Sequence, residues 1–135
     1  MILGVLSGRK TDDEVTKISC ALAKSHNQKL KMVFVITIDR NLPIDKEVRK
    51  STIIAEDALQ TMEKLAKDLK VRQSGEIIQA RFQGSAVVQQ IHEIEASTVV
   101  IGLPQRKPYD DQTISKSIGY IYDNAGCVVV TCQSN

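Results

Sequence analysis

Five cations fall in two short stretches of this chain: Arg9 and Lys10 near the start, and Arg106, Lys107 and Lys116 near the end. Beside them stand Ser7, Gly8, Gly102 and Ser117, small residues that can offer backbone N–H groups or hydroxyls. Such a set can hold an anion through charge-assisted hydrogen bonds and through the unpaired N–H groups of a helix N-terminus. Ser7, Gly8, Gly102, Arg106, Lys116 and Ser117 are therefore the candidate ligand-binding residues. Asp12, Asp13, Asp110 and Asp111 offset the cations, and solvated loop charge is the simpler reading of the same residues.

Other chemistry is sparse. Gly4, Lys10 and Thr11 come near the phosphate loop G-x4-G-K-S/T, but Arg9 stands where its second glycine belongs. Gly4 also falls inside an apolar run instead of at its end. His26 and His92 lie on or near polar helix faces, where solvent exposure is expected. No Ser or Cys stands beside a base in a recognisable nucleophile signature, so no catalytic residue and no enzyme is expected. Cys20, Cys127 and Cys132 are odd in number and lack metal or redox spacing, which predicts no metal site and suits a reducing cytoplasm. Cys20 falls roughly opposite the apolar stripe of its helix and reads as an exposed thiol.

These residues must be positioned by the elements around them. Ser97 to Gly102 and Cys127 to Cys132 are charge-free, β-branched runs flanking a polar loop and a helix-period segment. Buried parallel strands joined by a crossover helix read this way. Ile2 to Leu6 is a first strand that turns at Ser7-Gly8. Thr11-Asp12-Asp13-Glu14 reads as a capping box opening a helix with Val15, Ile18, Ala21 and Leu22 on one face. Lys31 to Ile38 is a second strand, followed by a linker from Asp39 to Lys46. A long helix carries Ala55, Ala58, Leu59, Met62, Leu65, Ala66 and Leu69 at three- and four-residue spacing. Glu76 to Phe82 reads as a third strand, Gly84-Ser85 as the cap of a third helix, and Ile114, Ile118, Ile121 and Tyr122 as the stripe of a last helix. The pattern is one doubly wound α/β sheet filling a single domain, 1–135, with helices on both faces. Val5, Val33, Val35, Leu59, Val88, Val99, Ile101 and Val129 are the expected core.

Composition closes several alternatives. A net charge of +2, 4% aromatic residues and no Trp argue against a nucleic-acid binder. No apolar run approaches the ~20 residues that a membrane span requires, so a cytoplasmic chain with no membrane insertion is expected.

The turn at Ser7-Gly8, the long linker after the second strand, Gln83-Gly84-Ser85 opening the third helix, and Val99-Val100-Ile101-Gly102 before the loop agree in order and spacing with one family. The ending Ala125-Gly126-Cys127-Val128-Val129-Val130 is similar to that family's Ala-Pro-Cys-Pro-Val-Leu-Val. The chain resembles a universal stress protein over essentially its whole length. The resemblance implies a five-stranded parallel sheet of order 3-2-1-4-5, with the ligand site at the switch point between strands one and four. It also implies a regulatory role in the stress response, and a transporter or signalling partner of the kind such domains have in cation antiporters and permeases. ATP-binding members carry G-x2-G-x9-G-S/T after the fourth strand and an Asp at the end of the first. Here those positions read Gly102, Gln105, Ser115 and Lys116, and the Asp position is Ser7. Only Gly102 matches. Side chains at the other glycine positions crowd the approach of backbone N–H groups to phosphates, so tight ATP binding is not expected and no cofactor is assigned.

Cys127, Val128, Val129, Val130, Thr131 and Cys132 form an edge strand in that order, with no charge and no proline to blunt it. An unprotected apolar edge is a pairing template. A homodimer through this strand is expected from the residues, and the resemblance implies the same.

Overall fold

The computed structural model describes residues 1–103 and 112–133. The chain runs β1 (Ile2–Leu6), α1 (Thr11–Ser25), β2 (Leu30–Thr37), α2 (Arg49–Asp68), β3 (Gln73–Ala80), α3 (Gln83–Glu93), β4 (Thr98–Gly102), α4 (Gln112–Asn124) and β5 (Val128–Cys132). The five strands form one parallel sheet of order β3-β2-β1-β4-β5, as expected. Strand alternation divides the core into two layers. Ile2, Leu6, Met32, Phe34, Ile36 and Val100 pack under α1 and α2. Leu3, Val5, Val33, Val35, Val99 and Ile101 pack under α3 and α4. Six of the eight expected core residues are buried, whereas Leu59 and Val129 are only partly covered.

Several local expectations are corrected. β3 begins at Gln73, opposite Leu30, and ends at Ala80, so it lies earlier than the apolar signal suggested. An edge strand needs a partner on one side only, and its register follows β2 more than its own composition. Tyr122 is 54% exposed and leaves the stripe of α4, where Ile121 is fully buried. Cys20 is 1% exposed, not a surface thiol. α1 packs on the sheet and also against α2, so it buries more than one stripe, and Cys20 lies in the layer that the two helices share. Burial pushes its thiol up, away from the thiolate.

Small residues face each other where α1 lies on the sheet. A Cβ on Gly4 would come within 2.6 Å of Met32 Sδ and 3.0 Å of Ser19 Oγ. Gly4 is thus a packing glycine, which accounts for the near match to a phosphate loop. Thr16 and Ser19 of α1 are fully buried, and neither hydroxyl has a hydrogen-bond partner among the described residues. An unpaired buried hydroxyl costs stability. Ser19→Ala should therefore raise stability by about 1 kcal/mol, read as a higher denaturant midpoint at unchanged slope. A lower midpoint would mean that the hydroxyl has a role in the fold.

Candidate functional site

The carboxyl ends of β1 and β4 meet at the switch point, where open α/β sheets hold ligands. β1 ends at Leu6, and the chain turns through Ser7 and Gly8 into α1; Gly8 has φ +77°, a conformation that favours glycine. Lys10 occupies the N-cap with helical φ −54° and ψ −34°, and no side chain caps the helix there. The expected capping box is absent. Thr11 and Asp12 turn inward instead, 2% and 4% exposed.

Asp12 holds this turn. Its Oδ1 accepts hydrogen bonds from the Ser7 N–H at 2.8 Å and the Ser7 hydroxyl at 3.2 Å. Its Oδ2 accepts from the Gly8 N–H at 2.8 Å. The consecutive N–H groups that could have met an external anion are already bound to the chain's own carboxylate. Burial pushes the Asp12 carboxyl above its ordinary value; the bonds from Ser7 and Gly8 pull it back, and Asp13 adds to the rise.

Thr11 fills the β4 side of the same point. A Cβ on Gly102 would lie 2.6 Å from Thr11 Oγ1 and 2.8 Å from Thr11 Cβ. The glycine shared with the family motif is therefore explained by contact with α1. Ser117, 1% exposed, is committed as well: its hydroxyl accepts the Gly84 N–H at 3.2 Å. That bond satisfies an N-terminal group of α3, for which Phe82 supplies no side-chain cap. The expected cap from Gly84-Ser85 is replaced by this bond from α4; Ser85 Oγ donates to the Phe82 carbonyl at 3.1 Å. The Phe82 and Tyr120 rings meet edge to face at 5.5 Å beside it.

Of the six candidate ligand residues, the structure brings Ser7 and Gly8 together on Asp12, and sets Gly102 against Thr11. Ser117 is joined to α3, and Lys116 is exposed on α4. Arg106, with Gln105 and Lys107, lies outside the described residues. Asp12, Thr11 and Ile54 were missed as site residues. Asp12 read as an ordinary first-turn acid, and nothing local marks an acid that reaches back to a preceding turn. Ile54 is set against Gly8, where an added Cβ would lie 2.8 Å from its Cγ2.

Two clefts flank Ile54. One of ≈ 340 Å³ is lined by Gly8, Arg9, Asp12, Ile54, Asp57, Ala58, Thr61 and Met62. The other, ≈ 220 Å³, is lined by Ser7, Phe34 to Thr37, Ser51 and Ile54. A larger one of ≈ 520 Å³, lined by residues from Glu63 to Gln73, opens beside the start of β3. That is the wrong end of the sheet for a switch-point site. Among the described residues, no group of His, Cys, Asp and Glu is placed to hold a metal. No described helix is long and apolar enough to cross a membrane.

No family profile matches the chain, and no curated protein does so by sequence. Solved structures do match by shape. A protein of the universal stress protein family from Burkholderia pseudomallei superposes with a TM-score of 0.76 at 16% identity, covering 98% of this chain and 95% of that one. A universal stress protein from Archaeoglobus fulgidus gives 0.78 at 13% identity, covering 96% of each chain. A third, from Arabidopsis thaliana with AMP bound, gives 0.68 at 11% identity, covering 99% and 91%. The chain has the universal stress protein fold.

Gly102→Ala should destabilise the chain by about 1–3 kcal/mol, since the new methyl group must displace the rigid Thr11 Cβ. Thermal unfolding measures this. An unchanged midpoint would show that α1 moves aside at no cost and that contact with Thr11 does not explain the glycine.

Proposed function

We propose that this chain is a non-enzymatic regulatory or interaction domain of the universal-stress type, which works by self-association and by docking to a protein partner, not by tight ATP binding. One observation carries the reading: the Ser7 and Gly8 N–H groups at the switch point are taken by Asp12. An incoming phosphate would have to displace a carboxylate already hydrogen-bonded in place. The substitution of Gln105, Ser115 and Lys116 for the family motif points the same way. The three thiols are pushed up by burial, a direction that disfavours nucleophilic chemistry. A transporter or signalling protein is the partner class that we propose.

The association surface that we propose is β5. It is an edge strand in the sheet order, and Val128 is 61% exposed. Val129, Val130 and Thr131 are half-covered. Antiparallel pairing of two copies about a two-fold axis would satisfy the open backbone groups, and closed symmetry would stop further growth. Cys132 takes a different part from the other interface candidates, being 5% exposed and turned into the layer under α1. Val130 also packs against that layer, so a charge there would damage the fold as well as the pairing.

A second reading is a nucleotide- or anion-sensing module. The AMP bound to the Arabidopsis structure and the two clefts beside Ser7 and Gly8 favour it. Calorimetry with Mg-ATP separates the two readings. A dissociation constant weaker than about a micromolar, or no heat at all, is expected, and tighter binding would establish the sensing module in its place. In sedimentation, the wild type should run as a dimer at tens of micromolar (an order-of-magnitude choice that spans ordinary dimer affinities), and Val128→Lys as a folded monomer. A wild type that is monomeric at that concentration would end the β5 proposal.

A further inference from the structure

We propose that Asp12 is a proton-controlled latch: ionised, it clamps the β1–α1 turn closed, and protonated, it releases part of that turn. The geometry sets this up. Asp12 is 4% exposed; Oδ1 accepts from the Ser7 N–H and hydroxyl, and Oδ2 accepts from the Gly8 N–H. An ionised carboxylate supplies acceptors alone and satisfies all three. A proton on Oδ2 would point a donor at the Gly8 N–H, whereas a proton on Oδ1 turns the Ser7 hydroxyl from donor to acceptor. In either case the backbone N–H bonds lose their charge assistance and the hold on the turn weakens.

Ser7, Gly8, Arg9 and Lys10 join β1 to α1, and among the described residues the Ser7 and Gly8 N–H groups are tied down by Asp12. The closed form of this turn also bears on the neighbouring elements. Ile54 of α2 sits against Gly8, and Thr11, next to Asp12 on α1, sits against Gly102 at the end of β4. Opening the latch therefore loosens contacts to α2 and β4 together.

The charged groups around Asp12 are few among the described residues. Asp13 follows it on α1, and Arg9 from the turn and Asp57 from α2 line the cleft that it borders. Thr11 and Gly102, on the β4 side, carry no charge. Burial raises the carboxyl above its ordinary value, so the latch works in milder acid than a surface aspartate would. The sign for stability follows from the same shift. The folded chain holds this proton more tightly than the unfolded chain does. The Asp12 contribution to stability is thus complete below its unfolded value and is lost as pH rises through the raised folded value. Ionisation closes the turn at a cost to the global fold.

The latch stands whether or not the chain pairs through β5 or binds a nucleotide, and its test uses neither. Amide proton resonances of Ser7 and Gly8 would be followed by NMR against pH in the whole chain. Both should titrate with one shared midpoint, above that of ordinary aspartates and equal to the midpoint of the Asp12 carboxyl carbon. Protection of at least one of the two amides from hydrogen exchange, normalised for the intrinsic rate, should fall below it. Asp12→Asn should abolish the shared titration. Asp13→Asn should keep it and move the midpoint down, by removal of a like charge. Separate midpoints, a midpoint at or below the ordinary range, or loss of the titration in Asp13→Asn would each overturn the latch. If Asp12→Asn does not fold, the wild-type carboxyl midpoint and amide protection decide the matter together, and unchanged protection of both amides across that midpoint would overturn the latch.

Discussion

Helix α1 can lie where it does only because Gly4 and Gly102 present no side chain to it. Gly4 admits Ser19 and the Met32 thioether, and Gly102 admits Thr11. Protein interiors are packed too densely to absorb even one extra methyl group without movement. The close approach fixes how far α1 descends on the sheet, and that depth carries Thr11 and Asp12 into the switch point. Buried hydroxyls without partners among the described residues, on Thr16 and Ser19, accompany this placement. Their desolvation is a standing penalty, offset by the apolar burial on either side of them.

From that depth the character of the site follows. In an open α/β sheet the turn after β1 is where unpaired N–H groups and a helix N-terminus converge. Here a carboxylate from the first turn of α1 closes on those groups. Ser117, which could have faced the same region, is committed to the start of α3. What would be a ligand's hydrogen-bonding surface in an open site is built into the protein's own framework.

The two sheet edges are finished differently. β3 is polar and engaged: Gln79 Nε2 donates to the Ile44 and Lys46 carbonyls, at 2.9 and 3.0 Å, and Arg81 donates to the Ile38 carbonyl. These bonds pin the linker between β2 and α2 against the β3 side. Lys31 bridges Glu76 and Gln90, tying β2 and β3 to α3. Among the described residues β5 has no such dressing; its residues are apolar or weakly polar, and its first valine is the most exposed of the large hydrophobic side chains described. Edges left bare in this manner invite pairing, whereas edges covered by charge and linker do not.

Much of the fold was written locally. Charge-free β-branched runs such as Met32 to Ile36 and Val99 to Ile101 can lie only between two helical layers, and strand–helix alternation forces the sheet to be parallel. Those patterns, with the motif resemblance, determined the class, the strand order and most of the core. They left β3 misplaced, because an edge strand carries little periodic signal of its own, and they put Cys20 outside, because one helix face cannot show that a second helix covers another. The switch point was legible in the sequence, but how it is filled was not. Ser7, Gly8 and Gly102 mark the switch point from sequence alone. That Asp12 occupies the first two, that Thr11 explains the third, and that Ser117 serves α3 were decided only by tertiary structure, since each depends on how deeply α1 and α4 seat against the rest of the fold.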